Sequence, residues 1–198
     1  MSLPQQVAME VPPAAAVRPR GYTRTAVLLH WLIAVLVLSG FTIGANMVDL
    51  HMSPEKLRLF SYHKWIGITV LGLALVRSVW RLTHPAPPDE PMPHWQAVLA
   101  HGAHGLLYGL LLVVPMLGWL YSSATGYPVV YLKLWQLPDL VPKSDALARV
   151  LVAAHTWLAW TLFWIVLLHV AGALKHHFMD RDATLRRMLH WGAQRSSR

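Results

Sequence analysis

The chain has 198 residues, 55% of them hydrophobic and only 13% charged. A soluble domain usually carries about 25% charged residues, so this composition belongs to a membrane protein. The complete absence of cysteine excludes disulfides, thiolate-held iron–sulfur clusters and covalent haem attachment. The formal net charge of +8 comes from bases that flank apolar runs, which argues for fixed helix orientation and against nucleic-acid binding.

In chain order, residues 1–20 hold four prolines and an alanine run but no long apolar core. They read as a flexible cytoplasmic tail and lack the pattern of a secretory signal. Four apolar stretches follow, at about residues 26–47, 60–82, 99–121 and 151–178. Each has the ~20 residues that a helix rising 1.5 Å per residue needs to cross ~30 Å of hydrocarbon. The expected fold is therefore all-α, an integral membrane four-helix bundle within residues 21–190, followed by a basic cytoplasmic tail at 191–198. Five prolines between His84 and Trp95 separate the second and third spans. The connection from Ser122 to Ala148 carries Tyr127, Tyr131 and Trp135, aromatics that suit a segment lying at the membrane surface.

Lysine and arginine set the expected orientation. One face collects eleven of them: Arg18, Arg20, Arg24, Arg77, Arg81, Lys175, Arg181, Arg186, Arg187, Arg195 and Arg198. The other has six, Lys56, Arg58, Lys64, Lys133, Lys143 and Arg149, offset by Asp49, Glu55, Asp139 and Asp145 to a net of +2. The richer face is expected in the cytoplasm, with both termini, in a bacterial inner membrane.

Ionisable groups inside a span are costly and usually functional. Here they are almost all histidine: His30 near the inner end of the first span, His63 at the outer start of the second, and His155 and His169 on the fourth. The fourteen residues from His155 to His169 return to nearly the same helix face about 21 Å further along. His63 is thus expected to meet His155 near the outside, and His30 to meet His169 near the inside. Two pairs of neutral imidazoles at two depths are what two bis-histidine haems require. Small residues stand four positions after each histidine (Ala34, Gly67, Ala159, Ala173), as a flat macrocycle beside a helix would favour. A zinc or di-iron site is disfavoured because the spans supply no carboxylate or thiolate. His101 and His104 open the third span and are expected in an interfacial role, while His176 and His177 close the fourth beside Lys175.

Several stretches together resemble the bacterial cytochrome b561 family of di-haem, four-helix membrane proteins. They are Leu28-Leu29-His30-Trp31, the run Tyr62 to Ile68, the run Val76 to Leu82, and Ala100-His101-Gly102-Ala103-His104. The fourth helix is similar from His155 through Leu167-Leu168-His169 to Lys175-His176-His177-Phe178, and Asp182 to Met188 is similar to the family's tail. The resemblance implies two non-covalent haem b groups, with His30, His63, His155 and His169 as the iron ligands. It also implies single-electron transfer with ubiquinone, and in some members oxidation of superoxide at the outer face, that is, a superoxide:ubiquinone oxidoreductase. A quinone site is expected at the inner end, with His176 as proton donor and Arg77 stabilising the charge that develops on the quinone oxygen. Two other readings stay open on sequence alone: a haem-bearing anchor for a dehydrogenase or hydrogenase partner subunit, and a haem-free transporter that carries protons on histidine.

Overall fold

A computed structural model describes residues 21–189; the tails expected at 1–20 and 191–198 lie outside the described residues. Four long helices account for most of it: α1 (Arg24–Val48), α2 (Pro54–Thr83), α3 (His94–Thr125) and α4 (Asp145–Lys175). All four are long and apolar enough to cross a membrane. Leu38 is 65% exposed and Trp157 76%, the outward-facing apolar surface that lipid would cover.

The helices run past the expected spans because caps, not hydropathy, end them. Thr23, Ser53 and Ser144 each accept a hydrogen bond from the backbone N–H three residues on, at 3.2, 3.2 and 3.3 Å. Pro54 opens α2 at the first turn, where its missing N–H costs nothing. Glu55 and Asp145 place negative charge at helix N-termini. At the far end of α3, Gly126 takes a left-handed conformation (φ 75°) that closes the helix. The apolar run measures the part inside hydrocarbon; the polar ends continue helically into the headgroup layer.

The chain folds as two tight hairpins, α1 against α2 and α3 against α4, joined through α2 and α3. Buried Leu110, Val114 and Leu162 pack α3 on α4, with Val37 of α1 against them. Between α1 and α4, Phe41 stacks on Phe163 with ring centres 4.6 Å apart and meets Trp160 edge-on at 5.0 Å.

The surface connection expected between the third and fourth spans contains a small antiparallel hairpin, β1 (Val130–Tyr131) paired with β2 (Trp135–Gln136). It lies against residues 64–69 of α2. Lys64 donates to Tyr127 O at 2.9 Å, Trp65 to Val130 O at 2.6 Å, and Thr69 shares a 2.8 Å hydrogen bond with the Tyr131 hydroxyl. Tyr127 and Trp135 remain exposed, whereas Tyr131 turns in toward α2.

Beyond α4, His176–Asp180 form a single π-helical turn, and a short α5 (Thr184–Leu189) follows. α5 is strapped across the same end of the bundle as the start of α1. Trp31 donates to Met188 O at 2.8 Å; Arg187 donates to Pro88 O at 2.8 Å and pairs with Glu90 at 2.5 Å.

Candidate functional site

The outer pair comes first. His63 on α2 and His155 on α4 face each other with ring centres 6.0 Å apart and planes at 86°. Nδ1 of His63 donates to Gly40 O and Nδ1 of His155 donates to Val114 O, both at 2.9 Å. A carbonyl oxygen only accepts, so each Nδ1 carries the proton and each Nε2 keeps its lone pair. This is the arrangement that prepares an imidazole to bind a metal.

Two glycines make it sterically feasible. A helical carbonyl points toward the residue four positions on, so a ring reaching that oxygen from outside lies over that residue's Cβ. Four residues after Gly40 and Val114 stand Gly44 and Gly118. A Cβ there would lie 3.0 Å from Cε1 of His63 and 3.1 Å from Cε1 of His155, respectively. Gly44 and Gly118 are thus the small residues against these two rings. Gly67 faces Pro115 of α3 at 3.9 Å, and Ala159 packs into the Leu110–Val114–Leu162 core.

At the inner level, His30 of α1 and His169 of α4 stand 6.2 Å apart, with planes at 63°. A third ring joins them: His104 of α3 meets His169 edge-on at 5.2 Å. His101 and His104, expected at the interface, are both exposed, and His101 pairs with Asp89 at 3.3 Å. His104 lies three residues further along α3, and its ring reaches that of His169 on α4. Arg77 donates to Ala26 O at 2.7 Å and lies over Tyr108, and its positive charge acts on His30, His104 and His169.

His176 sits past the end of α4 in the π turn, where Asp182 Oδ2 holds its Nδ1 at 2.7 Å and Asp180 Oδ2 approaches at 3.1 Å. Lys175 pairs with that same Asp180 oxygen at 2.7 Å. Partial burial disfavours ionisation of Asp182, but hydrogen bonds from Thr184 and from His176 outweigh it and hold the carboxyl below its usual range. Arg77 and His176 thus sit in different settings, Arg77 against the histidine cluster and His176 in an acidic hook beyond α4. Among the described residues, His177 Nδ1 is buried with no hydrogen-bond partner.

Four helices long and apolar enough to cross a membrane, with paired imidazoles at two depths between them, define a membrane helical bundle. A family profile described as prokaryotic cytochrome b561 matches residues 21–191, and the chain belongs to that family. It is 34% identical to "Cytochrome b561 homolog 2" of Escherichia coli K12 over 181 residues, covering 86% of this chain and 92% of that one. It is 30% identical to "Probable superoxide oxidase CybB" of Yersinia pestis over 176 residues, 85% of this chain and 95% of that one. "Cytochrome b562" of Cereibacter sphaeroides is 31% identical over 175 residues, again 85% and 95%. The chain is a multi-pass bacterial membrane protein of electron transport, and its family implies b-type haem.

Proposed function

We propose that the protein carries single electrons between two haem b groups, one held by His63 and His155 and the other by His30 and His169. The observation that carries this reading is the spacing of the ring pairs, 6.0 and 6.2 Å between centres. Metal–imidazole bonds are about 2.0–2.1 Å long, so each gap suits one ion flanked by two ring nitrogens. The donor set fits as well: histidine is a common axial ligand of haem iron, and no carboxylate competes within the spans. Bound haem supplies a one-electron iron couple. At the outer pair the Gly40 and Val114 carbonyls fix the ring planes and leave Nε2 of His63 and of His155 as the donor atoms. The test is an optical spectrum of the reduced protein with haem quantitation. Two low-spin b-type haems per chain are expected; one or none in a haem-saturated preparation would sink the reading.

The quinone is proposed at the inner end. The hydrogen bond from Nδ1 to Asp182 fixes the His176 ring and leaves Nε2 as the nitrogen that takes up and passes a proton to a quinone oxygen. Arg77, facing the inner histidines, would favour negative charge on an oxygen that approaches them. In His176→Ala, quinone reduction by the prereduced protein should slow about a hundredfold, the lower range of general-acid effects, with haem content unchanged. Unchanged quinone kinetics would move the site elsewhere. Superoxide is the proposed outer donor in the same assay. The reading is supported by the Yersinia relative's name and by an outer face that is weakly positive overall.

Both termini are placed in the cytoplasm on the eleven-to-six asymmetry of lysine and arginine. Reporter fusions after Arg198 should read as cytoplasmic and fusions at Pro142 as external. Both on one side would overturn this topology.

A further inference from the structure

The two hairpins repeat one design. In α1, His30 is followed fourteen residues later by Gly44; in α3, His104 is followed fourteen residues later by Gly118. In α2, His63 is followed at the same step by Arg77, and in α4 His155 is followed by His169. The hydrogen bonds repeat too, since His63 and His155 each donate to the carbonyl four residues before the corresponding glycine. In this correspondence His104 is the counterpart of His30, and Arg77 of His169. The symmetry of the outer level is therefore broken at the inner level, where three histidines and one arginine stand together.

The two levels also differ in what holds their rings. Each outer ring is fixed by a hydrogen bond to a backbone carbonyl. Among the described residues, His30, His104 and His169 show ring contacts instead of such bonds. The 6.2 Å gap between His30 and His169 leaves space between the rings, whereas His104 touches His169 edge-on at 5.2 Å, a separation close to that of the packed neighbours His30 and Trp31 at 5.4 Å. His104 is thus a packing partner of His169, with the metal-sized gap lying on the His30 side.

We propose that His104 is the positioning residue of the inner site, holding the plane of the His169 ring as the Gly40 and Val114 carbonyls hold the outer rings. The inference rests on reading His30 and His169 as the inner haem's donors. Hydrogen-bonded partners of a metal-bound imidazole set its orientation at a cost of roughly 10- to 100-fold when lost, and an edge-on ring contact is worth up to about tenfold.

The test uses the full chain in detergent, with low-temperature electron paramagnetic resonance of the oxidised protein and haem-retention assays. His104→Ala should shift the low-spin signal of the inner haem, leave the outer signal in place, and release the inner haem about tenfold more readily. His104→Phe, which restores an aromatic edge, should return the inner signal to its wild-type position. His104→Leu, which restores volume without a planar edge, should behave like Ala and is the variant to read should Ala fail to accumulate. An unchanged inner signal in Ala or Leu overturns the proposal, as does failure of Phe to restore it. The parent reading fails separately, by His169→Ala keeping both haems.

Discussion

Replacing His63 or His155 with alanine should remove one haem, the same one in both variants, while replacing His30 or His169 should remove the other. On the proposed pairing each ring is one of two donors to its centre, with His104 serving the inner one only as a packing neighbour of His169. The ring pairs are separated along α4 by the fourteen residues between His155 and His169, about 21 Å of helix rise. No donor of one pair can therefore substitute in the other. The expected readout is a halving of the haem-to-protein ratio, with the surviving haem keeping its own band position and potential. A spectrum in which the His30 and His63 variants lose the same haem would refute the pairing. The carbonyl contacts sharpen the expectation for the outer pair: with Nδ1 committed to Gly40 or Val114, neither remaining ring is free to rotate toward a new partner.

Much of this geometry is legible in the sequence because it lies along single helices. An apolar run reports directly on a membrane span, and Thr23, Ser53 and Ser144 mark helix starts in the ordinary way. The fourteen-residue step from His155 to His169 is a property of one helix, so the facing of each ring pair follows from helical periodicity. What lies between helices is not legible in the same way. Which face α3 turns inward depends on how it rotates against α4, so His104 reads as interfacial in sequence and packs beside His169 in the structure. The roles of Gly44 and Gly118 appear only once rings from α2 and α4 reach across to α1 and α3. One signal for both was present: the spacing from His30 to Gly44 recurs from His104 to Gly118. The π turn at His176 is a third case, since Asp182 captures the histidine from beyond the span that it was expected to close. Periodicity gives a direction for a side chain, and a carboxylate six residues later decides which nitrogen remains available.

Gly118→Val should cost the protein its outer haem while leaving the inner one in place. A Cβ at position 118 would already lie 3.1 Å from Cε1 and 3.3 Å from Nδ1 of His155. The ring cannot retreat without breaking the 2.9 Å hydrogen bond to Val114 that fixes its tautomer and plane. Valine adds two further carbons at the same place, with a χ1 that is stiff in a helix. Gly44→Val makes the same demand on His63, where the Cβ contact is 3.0 Å. Alanine at either position is the graded form: the ring must yield by a few tenths of an ångström, which should weaken the outer haem without abolishing it. Helix propensity works in the opposite direction, because replacing a helical glycine by alanine favours the helix by up to about 1 kcal/mol. Haem loss in the alanine variants would therefore arise from the contact and not from a weakened helix. Gly109 supplies the control on α3, since a Cβ there meets nothing within 4 Å. Gly109→Ala should keep both haems. Retention of the inner haem in Gly118→Val reports that the bundle still folds, so loss of the outer one can be assigned to the ring. A Gly118→Val protein with two haems and a wild-type spectrum would show that the ring is not held where the contacts place it.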